Sequence, residues 1–145
     1  MAPRTLQQLA DLCEADETAW MEAAAELVRR GQFDEIDTAS LAKYLTDMSK
    51  RDRREVESRL IVLIAPLLKW TRQPTQRSGS WRTAIIEQRQ ELDGLVGQGV
   101  LRNHAEAVLA AAHAKAVERS AAETGLDAAG FSQDCPYTLD DLLSA

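Results

Sequence analysis

The sequence predicts an all-α protein, a single domain over residues 1–145 built as a bundle of five to six helices around a central apolar helix. Composition is the first reason: 23 Ala and 18 Leu stand against 12 Val plus Ile and seven aromatics. Ala and unbranched side chains lose little freedom in a helix, whereas β-branched and aromatic residues favour strands. Periodicity is the second, because apolar residues recur at helical spacing behind Ser, Thr, Asp or Asn caps. The third is Leu60–Leu68, nine residues without a polar side chain between Arg59 and Lys69. That run is well short of the roughly 20 residues needed to cross a bilayer and reads as the buried middle of the bundle. Hydrophobic residues at 45% with 28% charged exclude a disordered or low-complexity chain.

Taken in order, Thr5 with Gln8 forms a capping box opening a short helix with Leu6, Leu9 and Cys13 on one side. Asp16 caps a second segment whose stripe is Trp20, Ala24, Leu27 and Val28. It ends at Arg29, Arg30 and Gly31, where cations suit the helix dipole and glycine takes the left-handed position. After a turn at Phe33–Ile36, Asp37 caps a helix with Leu41, Tyr44, Leu45 and Met48 on one face. Ser49 with Asp52 predicts a fresh start for a helix over 50–72, with Arg51 and Glu55, and Arg53 and Glu57, spaced for pairing. Its second half has no polar face, which puts Leu63, Ile64 and Leu67 in the core. Pro66 removes the bond to the carbonyl of Val62 and predicts a kink rather than a break.

A loop with Pro74 follows, and Ser80 is the expected cap of a helix burying Trp81, Ile85, Leu92 and Leu95 and ending among Gly94, Gly97 and Gly99. Asn103 with Glu106 favours a start there for the last long helix, with Leu101, Ala105, Val108, Ala112 and Ala116 as its stripe. Ala107, Ala110, Ala111 and Ala114 thin its other faces, which would suit a symmetry mate. Gly125 ends it, and Thr138 caps a final turn with Leu139, Leu142 and Leu143.

Charge is distributed unevenly. Residues 1–49 carry ten acidic and four basic side chains, residues 50–89 four and ten, and residues 90–145 nine and three. A basic middle between acidic flanks either attracts those flanks, within the fold or across a dimer, or binds an external polyanion. Overall acidity and the lack of a long Lys/Arg run argue against strong nonspecific nucleic-acid binding, which needs many phosphate contacts. Cys13 and Cys135 lie far apart without a CxxC spacing, which indicates no zinc site and no disulfide framework. His104 and His113, nine positions apart on one helix, face opposite sides and share no metal. No basic region followed by an apolar stretch opens the chain, so a cytoplasmic address is expected, without a membrane anchor. No cofactor is indicated.

One constellation stands out. Lys69, Trp70, Arg72, Arg77, Ser78, Gly79, Ser80, Trp81 and Arg82 gather cations and two aromatics around a turn that ends at a helix start. Free N–H groups and the positive end of the helix dipole favour an anion there, and stacking would be available to single-stranded nucleic acid. The plainer alternative makes Trp70 and Trp81 core residues, Ser80 a cap, and the arginines solvated or paired with the acidic flanks.

The segments Gly31-Gln32-Phe33-Asp34-Glu35-Ile36-Asp37, Glu57-Ser58-Arg59-Leu60, Leu67-Leu68-Lys69-Trp70, Gln73-Pro74, Ser80-Trp81-Arg82, Glu87-Gln88-Arg89, Ala122-Glu123-Thr124-Gly125-Leu126 and Cys135-Pro136-Tyr137-Thr138-Leu139 resemble, in order and over nearly the whole chain, the bacterial family called domain of unknown function 29. The resemblance implies a small all-helical protein and no established activity. Pro66 stands where members often have histidine, so any catalytic role of that histidine would not operate in this chain. Residues and resemblance together favour a non-catalytic cytoplasmic interaction module that self-associates or binds a protein partner. The second reading is an anion or nucleic-acid binder using Lys69, Arg72, Arg77, Ser78, Gly79, Ser80 and Arg82. The third is an enzyme with a polar pocket that no motif announces.

Overall fold

The computed structural model describes residues 3–144. It holds six α-helices, and no strand occurs among the described residues. Their contacts divide the chain into two compact units, Met1–Lys50 and Arg51–Ala145.

In the first unit, Thr5 Oγ1 accepts from Gln8 N at 3.1 Å and Gln8 Oε1 from Thr5 N at 2.9 Å, the reciprocal pair that opens α1 (Leu6–Ala15). Asp16 interrupts the helix and restarts it, its carboxylate accepting from Ala19 N at 3.0 Å at the head of α2 (Glu17–Arg29). Two segments therefore occupy residues 6–29. Leu9, Trp20 and Ala24 form a small core, and the Trp20 ring lies 5.5 Å from that of Tyr44. Val28 and Leu45, both expected on apolar stripes, are about half exposed, at 49% and 57%. A short 3-10 turn at Phe33–Glu35 leads to Asp37, which is buried and accepts from the amide and the hydroxyl of Ser40 at the start of α3.

Helix α3 (Thr38–Arg72) runs unbroken where Ser49 and Asp52 predict a boundary. A capping pair acts on amides that lack a carbonyl four residues back, and inside a helix already under way there are none. Glu55 pairs with Arg59 at 2.9 Å and Glu57 with Lys115 at 2.6 Å. The helix continues through Pro66 without a break.

In the second unit Val56, Leu60, Leu63, Ile64 and Leu68 of α3 form the centre of the core. Around them pack Ile85, Leu92 and Val96 of α4 (Gly79–Val96), Ala105, Ala112 and Ala116 of α5 (Val100–Thr124), Phe131, and Leu139 and Leu142 of α6 (Leu139–Leu143). Leu67, expected in the core, lies at the margin of the stripe and is half-buried. The cap of α4 is Ser78, two residues before the expected Ser80, its hydroxyl accepting from Trp81 N at 3.3 Å. Likewise α5 starts at Val100 rather than Asn103, because Gly99 at φ 83° turns the chain where a side chain would be strained. Ser120 Oγ of α5, fully buried, donates to the carbonyl of Ala65 in α3 at 3.1 Å. No helix is long and apolar enough to cross a membrane among the described residues.

Candidate functional site

The residues singled out in the sequence lie where α3 ends and α4 begins, but three of their four cations, Lys69, Arg72 and Arg77, are engaged within the protein. Lys69, in the last turn of α3, donates to Glu123 Oε2 at 2.5 Å and lies 5.2 Å from the centre of the Trp81 ring. Glu123 also accepts from Arg119 at 3.1 Å, and the two cations hold its carboxyl below the ordinary carboxylate range. Arg77 Nε donates to the carbonyl of Trp70 at 3.0 Å while its guanidinium covers that ring at 4.6 Å. Arg72 lies over Phe131 at 5.8 Å. Three cations thus rest on three aromatic faces, an arrangement worth about 0.5–2 kcal/mol each depending on how far water is excluded.

Ser78 and Ser80 share a hydrogen bond at 2.9 Å, and the space before Gly79 is open. Arg82 is exposed and leads to a different feature. It edges an open groove of about 630 Å³ lined by Leu67, Trp70, Ile85, Ile86 and Leu143, with Arg89, Gln90 and Asp93 completing the wall. Leu67 and Trp70 are half-buried and Ile86 is 46% exposed, so the floor is apolar and open to solvent. Arg89 is held in place by donation from its Nε to the carbonyl of Leu142 at 2.9 Å. The sequence reading left Ile86 aside. Its signal was the Ile85-Ile86 pair, since adjacent residues sit about 100° apart on a helix and only one can point squarely into the core.

Groups able to do chemistry lie elsewhere, on α5 and the C-terminal loop. His113 is 2% exposed, and its Nε2 has no hydrogen-bond partner among the described residues. Burial keeps this imidazole easier to deprotonate than usual, against an opposing pull from Asp134. Cys135 Sγ donates to the carbonyl of Tyr137 at 3.4 Å, and burial pushes its thiol up, away from the nucleophilic thiolate. Burial also raises the Tyr137 phenol. Both cysteines are free. Among the described residues no three His, Cys, Asp or Glu side chains are grouped to hold a metal ion.

In comparison with known proteins, the family model described as Domain of unknown function DUF29 matches residues 12–145. No curated protein and no solved structure matches the chain.

Proposed function

The chain belongs to the Domain of unknown function DUF29 family, and from that premise we propose that it is a non-catalytic interaction module which receives an apolar anchor of a protein partner in the groove beside Arg82. The observation that carries this reading is the groove's floor. Leu67, Trp70, Ile85, Ile86 and Leu143 leave apolar surface in a concave site where water is displaced at a gain. Chemistry at the groove is disfavoured because the candidate groups do not line it: His113 is buried on α5, and burial holds the Cys135 thiol away from its thiolate. The reading sets the protein in the bacterial cytoplasm, where Cys13 and Cys135 stay reduced. Its test is selection of displayed peptides on the immobilised protein and on an Ile86→Asp variant. Peptides with an aromatic or large aliphatic anchor should enrich on the first and not the second. Equal enrichment, or none on either, overturns it.

A second reading, anion or nucleic-acid capture by the turn from Arg72 to Arg82, is favoured by the open space before Gly79 at the head of an 18-residue helix. It is weakened by the internal acceptors that engage Lys69 and Arg77. Tryptophan emission during titration with phosphate or a short oligonucleotide separates the two. A response that fades steeply with salt favours the anion.

A further inference from the structure

The molecule's own surface offers an occupant for this groove. Phe33 is 62% exposed on the 3-10 turn Phe33–Glu35, followed at once by Asp34 and Glu35. The turn is braced: Glu35 N donates to Gln32 O at 3.2 Å and Ile36 N to Phe33 O at 3.3 Å, and Gly31 at φ 69° sets its entry. A ring held out by an ordered backbone loses little freedom on docking. The groove has the complementary chemistry. Ile86 and Trp70 offer an apolar seat, and Arg82 and Arg89 in the lining outnumber Asp93. Arg82 carries no ion pair among the described residues. The wider charge agrees, since residues 1–49 hold ten acidic against four basic side chains and residues 50–89 the reverse. Such complementarity steers association and sets its orientation.

We infer that the groove of one copy receives the Phe33-Asp34-Glu35 turn of a second copy, the phenyl ring on Ile86 and Trp70 and the two carboxylates toward Arg82 and Arg89. This rests on the groove being the recognition surface and adds what fills it. The contact joins two different patches, so each copy brings one turn and one groove.

That asymmetry supplies the test. The full chain and its Phe33→Asp and Ile86→Asp variants are compared by sedimentation over a wide concentration range, with circular dichroism to verify folding; both side chains are exposed, and Phe33→Ala and Ile86→Ala substitute if either variant unfolds. The unaltered protein should exceed its 16.0 kDa monomer mass as concentration rises. Each variant alone should associate about tenfold more weakly or worse. Mixed in equal amounts they should recover a species of twice the monomer mass and no larger, because Phe33→Asp keeps its groove and Ile86→Asp keeps its turn. An unaltered protein that stays monomeric, variants that associate normally, or a mixture that does not pair would each overturn the inference. If association fails while Ile86→Asp still abolishes peptide enrichment, the groove stands and only its occupant is wrong.

Discussion

Replacing His113 by Leu tests what an unpartnered imidazole costs the fold. The ring is 2% exposed and its Nε2 finds no partner among the described residues. A buried polar atom left unsatisfied costs about 1–3 kcal/mol, and an apolar side chain of similar size removes that cost. The sign of the pH dependence follows from the depressed affinity of the folded imidazole for a proton. Below the ordinary value of 6.5 the unfolded chain binds the proton more readily than the folded one. The stability due to this group is therefore complete above that pH and is lost as the pH falls beneath it. The limiting slope is about 1.4 kcal/mol per pH unit for one group. Asp134 attracts the same proton and makes the loss shallower than burial alone would. Urea unfolding followed by circular dichroism at pH 7.5, 6.5 and 5.5 should show the His113→Leu variant at least as stable at the highest pH, as a measured value near or above that of the unaltered protein. The gap should widen toward the lowest. Parallel pH profiles, or a Leu variant weaker by more than about 1 kcal/mol throughout, would show that the imidazole has a partner it needs and refute the reasoning.

Three further outcomes follow from the packing. Leu63→Ala should cost about 2–5 kcal/mol by leaving a cavity at the centre of the second unit, and half-buried Leu67→Ala under about 2 kcal/mol; equal losses in denaturant melts would contradict the burial pattern. Ser78→Ala should cost about 0.5–2 kcal/mol as loss of the α4 cap, whereas Ser80→Ala should stay within about 0.5 kcal/mol, and a reversed order would return the cap to Ser80. Ala112→Leu should destabilise by about 1–3 kcal/mol or more through overpacking, while Ala110→Leu on the exposed face should be near neutral in the same denaturant melts.

What could be read from the chain was whatever a few neighbouring residues decide. Thr5, Asp16, Asp37 and Thr138 were legible as caps because the donor and acceptor are three residues apart. The same logic misled at Ser49, where a capping pair occurs inside a helix sustained by its own ladder, and at Ser80, where a second serine two residues earlier takes the amide. The helical class and the apolar middle of α3 were legible from composition and period, but the depth of each stripe was not: Leu67, Val28 and Leu45 depend on what packs beside them. Of the candidate site, the sequence placed Lys69, Arg72, Arg77 and Arg82 around one turn. It gave no sign that Glu123, 54 positions away, meets Lys69, although the acidic flanks foretold pairing of that kind. The burial of His113 likewise comes from tertiary packing that no local pattern encodes.

The inequality of the two cores reaches beyond statics. One cluster has three buried residues, Leu9, Trp20 and Ala24, while the other has fifteen, and the free energy of opening a region scales with the apolar surface it buries. Amide protons of α1 and α2 are thus set to exchange with solvent deuterium through excursions that leave the second unit intact, whereas those of α4 and α5 at Leu92, Ala105 and Ala112 wait for the whole to unfold. Helix α3 spans both regimes along one continuous backbone, and its protection should rise from Leu41 toward Leu63. Its thirty-five residues then act as a graded fuse, fraying from the end at Thr38, and a gentle protease would cut within the first fifty residues long before the remainder yielded.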